Sequence, residues 1–195
     1  YGIEGDVTEL GAIQEWQAEY KWDGIRGQVI KRKGEVFVWS RGEELVTDQF
    51  PELVAEVSSW SADNFVLDGE IVAFKEDKIL NFTALQKRVN RKTLSKKMLQ
   101  EVPVIFIVYD LLEWDGEDKR SATLTERRRQ LEQLLATNAP NSSSGIRISP
   151  ALTYVSWEEL KVLRAEATTI NSEGLMLKKK EAAYETGRKK GIWWK

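Results

Sequence analysis

The sequence contains no cysteine and no histidine. Without thiols, the chain can form neither disulfides, nor a thiolate nucleophile, nor a zinc–thiolate centre. Without imidazoles, it lacks the most frequent general base and the commonest metal ligand of proteins. Any metal ion would have to be bound by oxygen atoms, which favours a hard ion such as Mg²⁺.

Long apolar runs are also missing. No segment approaches the roughly 20 residues that a membrane-spanning helix needs, and no signal peptide is visible, so we expect an intracellular, cytoplasmic protein without membrane contact. The net charge of -2 over 195 residues does not indicate nucleic-acid binding by the whole surface, so any basic region must be local. A hydrophobic fraction of 42% and a charged fraction of 31% predict a packed core.

Periodicity and turn signals predict an irregular alternation of strands and helices. The expected helices are 47–60, 82–90, 94–100, 125–137 and one from a capping box at Ser156 and Glu159 to about residue 168. The expected strands are 27–32 and 35–41 as a hairpin, 65–74, 104–109 (buried on both faces), 174–178 and 192–195. Hairpins mixed with helices favour an antiparallel-rich α+β fold over a doubly wound sheet.

The stretch from Glu19 to Arg26 carries an unusual charge pattern, E-Y-K-W-D-G-I-R. In a strand that runs into a turn, Glu19, Lys21 and Asp23 share one face. Taken alone, the pattern is typical of a solvated edge. The alternative is a nucleophilic lysine, which requires that the ammonium, with an ordinary pKa of about 10.4, lose its proton.

Further carboxylates lie within apolar strands. Asp68 and Glu70 share a face of the strand 65–74, and buried charges are paired or metal-bound. Tyr109 ends the strand 104–109, where its ring either caps the core or stacks on a base. Glu173 and Lys178 would face opposite sides of a regular strand, so Glu173 is expected at the start of its strand.

Two segments concentrate basic residues. The first places aromatic residues between cations, which suits a phosphate backbone; it comprises Lys178, Lys179, Lys180, Tyr184, Arg188, Lys189, Lys190, Trp193, Trp194 and Lys195. The second fits a solvated helix face as well as a nucleic-acid contact; it comprises Lys87, Arg88, Arg91, Lys92, Lys96 and Lys97.

The charged motifs follow one another in the order E-Y-K-W-D-G-I-R, S-R-G-E, L-D-G-E, I-V-Y-D-L-L, S-E-G-L-M-L-K and W-W-K. This series, from Glu19 to Lys195, resembles the ordered motifs of covalent nucleotidyltransferases, and most closely the ATP-dependent DNA ligases of the compact bacterial type. The resemblance implies an ATP-grasp-like adenylation domain, with helices flanking the sheets and the nucleotide cleft between them. It also implies that 1–195 is a fragment, because the second lysine of W-x-K-x-K and the following OB-fold domain are missing; alone, it would adenylate slowly and seal poorly.

The same resemblance implies a role for each motif residue. Lys21 would attack the α-phosphate of ATP and become lysyl-AMP. The others would bind adenine (Glu19, Tyr109), the ribose (Arg26, Glu70), the α-phosphate (Lys178, Lys195), the 5′-phosphate of a nick (Arg41) and Mg²⁺ or Mn²⁺ (Glu173, with Asp68 supporting the metal or the motif geometry). The implied partners are ATP and nicked double-stranded DNA, in repair or replication, with the protein acting as a monomer.

Other functions remain open at this point. RNA ligases and mRNA-capping guanylyltransferases share the lysine chemistry, although the Ser40–Gly42 element and the position of Glu19 favour a DNA ligase. An NAD-dependent ligase is disfavoured because no nicotinamide-recognition segment precedes Glu19. A non-catalytic nucleic-acid-binding module would leave Asp68, Glu70 and Glu173 without a purpose.

Overall fold

A computed structural model describes residues 1–91, 93–141, 143–187 and 189–195. The α-helices are α1 (Pro51–Ser58), α2 (Phe82–Val89), α3 (Lys96–Glu101), α4 (Leu124–Asn138) and α5 (Trp157–Glu166). Short 3₁₀ helices cover Val7–Leu10, Ile13–Glu15, Thr47–Gln49 and Ala167–Ile170. Within these ranges, no helix combines the length and the apolar character that crossing a membrane would require.

The strands form two sheets. They are β1 (Trp16–Trp22), β2 (Ile25–Arg32), β3 (Glu35–Ser40), β4 (Phe65–Lys75), β5 (Lys78–Ile79), β6 (Val104–Trp114), β7 (Glu117–Asp118), β8 (Ile146–Ile148), β9 (Ser172–Lys179) and β10 (Trp193–Trp194). The small sheet has the order β1-β9-β10, and the large sheet β3-β2-β4-β6-β7, with β5 paired to β4 and β8 to β6. The pairs are antiparallel except β6–β8, so the predicted antiparallel-rich α+β class is confirmed.

Local sequence explains several element boundaries. The β2–β3 hairpin turns at Lys33 and Gly34, both of which adopt positive φ, as a two-residue hairpin turn requires. The helix expected over 47–60 is interrupted at Phe50, and α1 begins at Pro51, where a missing N–H costs no hydrogen bond. Ser156 caps α5 as predicted, because its side chain accepts a hydrogen bond from the Glu159 amide.

The main core lies between one face of the large sheet and the helices α1, α2 and α4. The predicted burial of β6 is confirmed, since Val104–Val108 are buried from end to end. A smaller core joins the small sheet to α5 through Trp16, Leu160 and Leu177. The opposite face of the large sheet carries a third, smaller apolar cluster at Val72, Ile105 and Ile107, and Glu70 and Tyr109 lie on this same face.

The structure corrects the prediction for one residue of the second basic segment, Arg88, which does not lie at the surface. Its side chain is completely buried, donates to both carboxylate oxygens of Glu52 and bonds the backbone carbonyls of Gln49 and Val102. A buried guanidinium needs acceptors, and both terminal nitrogens of Arg88 have them, whereas its Nε has none among the described residues. Arg88 therefore joins α2 to α1 and contributes nothing to a basic surface. Lys92, also in that segment, lies outside the described residues.

Gly69 marks the closest approach between β4 and β6. A Cβ atom there would come within 2.5 Å of the Ile107 carbonyl oxygen and 2.7 Å of the Phe106 ring. We therefore expect Gly69→Ala to lower the free energy of unfolding by about 1–3 kcal/mol through overpacking, measured by urea denaturation. Gly42→Ala is the matched control, because its nearest neighbour would be 3.8 Å away; equal losses in both variants would contradict this explanation.

Candidate active site

A cavity of about 500 Å³ opens between the small sheet and the face of the large sheet that carries Glu70 and Tyr109, a volume within the usual range for small-molecule sites. It collects every candidate residue from the sequence except Asp68 and Glu173. Those that line it are Glu19, Lys21, Arg26, Arg41, Glu70, Tyr109, Lys178 and Lys195. Asp68 and Glu173 are each bonded to one of these residues.

A bulge in β9 sets the position of Glu173 beside Lys21. Between the pairs Tyr20↔Leu175 and Trp22↔Ser172, β9 contains one residue more than β1. Gly174 adopts φ +141° at this point, a conformation that favours glycine. Because the extra residue reverses the alternation of faces, Glu173 and Lys178 both point towards the candidate site, although a regular strand would separate them.

Lys21 is partly buried and forms an ion pair with Glu173. Burial lowers its pKa, and the positive charge of Lys195 lowers it further, against the opposing effects of Glu70 and Asp23. A lower pKa increases the fraction of neutral amine at a given pH. This direction of the pKa shift is the one that a nucleophilic lysine requires, whereas the ion pair with Glu173 favours the charged form of the amine.

Glu70 projects from β4 towards the same space. Burial raises its pKa to about 7, against the opposing charges of Arg26 and Lys21. The carboxyl group can therefore act as either a hydrogen-bond donor or an acceptor near neutral pH.

This shift predicts a pH-dependent effect of Glu70→Gln. The carboxyl group has a pKa of about 7 in the folded protein and an ordinary value of 4.5. Its contribution to the free energy of unfolding is therefore fully present below pH 4.5 and is lost as the pH rises through 7. At pH 8.5 the variant should be more stable than wild type by about 1–3 kcal/mol, and at pH 4.5 the difference should be close to zero. Thermal unfolding at the two pH values tests this, and an equal effect at both would contradict it.

Arg26, Asp68 and Tyr184 form a closed network on the large sheet. Arg26 Nη2 donates to Asp68 Oδ2 at 2.7 Å, and Arg26 Nε reaches Oδ1 at 3.3 Å. The Tyr184 hydroxyl donates to Asp68 Oδ2 at 2.8 Å. Because this carboxylate is only 1% exposed and both oxygens have donors, the arrangement argues against Asp68 as a metal ligand and supports its alternative role in holding the motif geometry.

Glu19 and Lys178 form a buried pair in the small sheet. Lys178 Nζ lies 2.8 Å from Glu19 Oε1, and 4.3 and 4.7 Å from the ring centres of Tyr109 and Trp193. Glu19 Oε2 is buried without a hydrogen-bond partner among the described residues. A phosphate contact by Lys178 would require this pair to open, whereas Lys195 already lies close enough to influence Lys21.

Two groups flank the cleft. Arg41 is exposed, with its backbone N–H donating to the Arg26 carbonyl, and its side chain borders both the first cavity and a neighbouring groove. On the large sheet, Asp110 follows Tyr109 and is bound at both oxygens by the buried Arg127 of α4. Arg41 is therefore accessible to a ligand, whereas the Asp110–Arg127 ion pair stabilises the position of β6, the strand that carries Tyr109.

Sequence reasoning did not assign Tyr184 or Trp193 to the site. Both line the cleft, and their rings meet edge to face with centres 6.3 Å apart. The sequence signals were the aromatic residues among cations and, for Trp193, the W-W-K motif; neither reveals that Tyr184 meets Asp68 across 116 positions.

The described residues contain no group of three or more acidic side chains able to hold a metal ion by themselves. Glu173 remains suitable as a single ligand, because its side chain is 44% exposed. Mg²⁺ commonly takes one or two protein carboxylates together with phosphate oxygens, so the residues present fit such an ion.

Comparison with known proteins finds DNA ligases among the relatives of this chain. The chain is 33% identical over 195 residues to a probable DNA ligase of Koribacter versatilis, covering 91% of the chain, and 33% identical over 193 residues to a DNA ligase of Archaeoglobus fulgidus, covering 99%. It spans about a third of the length of these curated relatives, 34% and 33%.

Solved structures give the same result. The ligase domain from M. tuberculosis LigD superposes with a TM-score of 0.76 at 27% identity, over 99% of this chain and 56% of that one. A mycobacterial DNA ligase D complexed with ATP and MES gives a TM-score of 0.74 at 26% identity, over 99% and 57% of the two chains. The family model described as "ATP dependent DNA ligase domain" matches residues 4–195, and the chain therefore belongs to the ATP-dependent DNA ligase domain family.

Proposed function

We propose that this chain is the adenylation domain of a DNA ligase and that Lys21 carries the AMP group. The neutral Nζ of Lys21 attacks the α-phosphorus of ATP, a P–N bond forms, and pyrophosphate leaves. AMP then passes to the 5′-phosphate of a DNA nick, and the 3′-hydroxyl displaces it to form the phosphodiester bond. The observation that carries this proposal is a lysine of lowered pKa between Glu173 and Lys195 in a cleft of nucleotide size.

Adenine recognition follows from the small-sheet side of the cleft. Glu19 Oε2 has no partner among the described residues, and a carboxylate oxygen can accept from the exocyclic amino group of adenine. Tyr109 supplies an aromatic surface, and stacking of a base on such a ring contributes about 1–3 kcal/mol. Lys178 must then move away from the Tyr109 ring or share that space with the base.

The phosphates and ribose would be held by the charged groups around Lys21. Lys195 provides positive charge near the nucleophile, and Arg26 and Glu70 provide donors and an acceptor for ribose hydroxyls. Glu173 would hold Mg²⁺ together with phosphate oxygens, and the bound ion would supply further positive charge at the transferred phosphate. A mycobacterial structural neighbour is described as complexed with ATP, which supports the choice of nucleotide.

Arg41 would bind the 5′-phosphate of the nick. Its guanidinium is exposed at the edge of the cleft, and a guanidinium can engage a phosphate through two parallel hydrogen bonds. This assignment also requires a nicked duplex to approach from the groove that Arg41 shares with the cleft.

The monomeric state and the cytoplasmic location expected from the sequence remain predictions.

Transfer of labelled AMP tests the proposed substrate. The chain is incubated with α-³²P-ATP and Mg²⁺ and then given nicked duplex DNA with a 5′-phosphate, with the same duplex lacking that phosphate as control. We expect label to move from protein to DNA only in the first case. Labelling with GTP instead of ATP would favour a capping guanylyltransferase, and transfer only to nicked RNA would favour an RNA ligase; either result would contradict the proposal.

A further inference from the structure

The hydroxyl group of Tyr184 lies between two charged side chains of the cleft floor. It donates to Asp68 Oδ2 at 2.8 Å and accepts from Arg26 Nη2 at 3.1 Å. Since Arg26 Nη2 also donates to the same Asp68 oxygen at 2.7 Å, the three groups form a closed ring of hydrogen bonds. A phenol is suited to this position because it donates and accepts at once.

The Asp68 carboxylate needs the Tyr184 hydroxyl as a hydrogen-bond donor in addition to its ion pair with Arg26. The carboxylate is buried, and its contact with Arg26 is uneven, because the second bond, from Nε to Oδ1, measures 3.3 Å. A buried carboxylate requires donors of good geometry. Without the hydroxyl, Asp68 would keep Arg26 as its one side-chain donor among the described residues, and the guanidinium would lose one of its acceptors.

Two further contacts help to fix the position of Tyr184. Its backbone N–H donates to the Arg120 carbonyl at 2.8 Å, and the Arg127 guanidinium lies 5.8 Å from its ring centre. Burial, followed by the charge of Asp68, raises the pKa of Tyr184. The hydroxyl is therefore protonated at neutral pH and can donate to Asp68.

The guanidinium that this network orients faces the nucleotide cleft. The Arg26 Cζ lies 5.9 Å from the centre of the Tyr109 ring and 5.7 Å from that of Trp193. We propose that Tyr184 is a positioning residue of the nucleotide site, which acts through Asp68 to fix the guanidinium of Arg26 in the floor of the cleft. This inference rests on the proposed function, since it assigns Arg26 to nucleotide binding.

Nucleotide affinity without chemistry tests the proposal. The dissociation constant of α,β-methylene ATP, which cannot adenylate the lysine, is measured by isothermal titration calorimetry for wild type and Tyr184→Phe. We expect Tyr184→Phe to bind about five- to tenfold more weakly. Tyr154→Phe is the matched control, because it also removes a hydroxyl hydrogen bond, to the Trp16 carbonyl outside the cleft; it should bind within twofold of wild type.

A double-variant comparison separates positioning from a structural role. Arg26→Lys cannot keep the two-pronged contact with Asp68, so adding Tyr184→Phe to it should weaken binding by less than twofold. Equal affinity of Tyr184→Phe and wild type, or an undiminished effect in the Arg26→Lys background, would overturn the proposal and leave the proposed function intact. A wild-type protein that neither binds the analogue nor forms an adduct would overturn both.

Discussion

Arg127→Met is expected to lower the free energy of unfolding by about 3–5 kcal/mol, because it leaves Asp110 buried without its cation. Arg127 is 1% exposed, bonds both Asp110 oxygens at 2.7 and 3.0 Å, and also donates to the carbonyls of Ala122 and Ala182. Methionine preserves length and helix propensity but supplies no donor. For a chain of this size, such a loss corresponds to a fall in melting temperature of roughly 10 °C.

The control for this variant lies on the same helix. Arg129→Met also removes a cation from α4, but Arg129 pairs with Glu126 at the surface, where ion pairs contribute little. Asp110→Leu combined with Arg127→Met should recover much of the loss, because apolar side chains can replace a buried ion pair. Calorimetric unfolding of the three variants tests the account, and an equal loss in Arg127→Met and Arg129→Met would contradict it.

The outline of the fold could be predicted because its signals are local. The apolar run of β6 and the capping box of α5 each depend on a few neighbouring residues. The role of Arg88 could not be predicted, because its neighbours in the sequence are basic while its partner Glu52 lies 36 positions away. The break before α1 was also missed, although Pro51 marked the place where the helix had to begin.

The candidate site, like the fold, combines features that the sequence predicts with features that it does not. The alternation of strand residues puts Glu19 and Lys21 on one face of β1, and both line the cleft. The shared orientation of Glu173 and Lys178 depends on a bulge at Gly174, and a glycine in a strand is not enough to predict a bulge. The network of Asp68 depends on Arg26 and Tyr184, which the chain brings together only through the pairing of β2 with β4 and the packing of the segment before β10.

Lys21→Arg is expected to reduce the rate of protein adenylation by at least about a thousandfold. Arginine keeps a positive charge that can pair with Glu173, but its guanidinium stays protonated and cannot attack phosphorus. The affinity for α,β-methylene ATP should remain within about threefold of wild type, since the cleft and its charges persist. Rates come from label transfer to protein, and affinities from calorimetry.

Lys21→Arg is informative because it separates the rate of adenylation from the affinity for the nucleotide. If Lys21→Arg loses rate and keeps affinity, the side chain acts in the chemical step. Lys179→Arg is the matched control, because Lys179 lies on β9, half exposed, and pairs with Glu15 outside the cleft; its adenylation rate should match wild type. A Lys21→Arg protein that adenylates at a tenth of the wild-type rate or faster would contradict a covalent role for Lys21.

The central claim is that Lys21 becomes covalently attached to AMP, and mass spectrometry of the protein after incubation with ATP and Mg²⁺ tests it most directly. We predict that the intact wild-type chain gains the mass of one AMP group, that proteolysis places it on the peptide containing Lys21, and that Lys21→Ala gains nothing. An adduct that persists in Lys21→Ala, or one that maps to another lysine in the wild-type chain, would show that the nucleophile lies elsewhere.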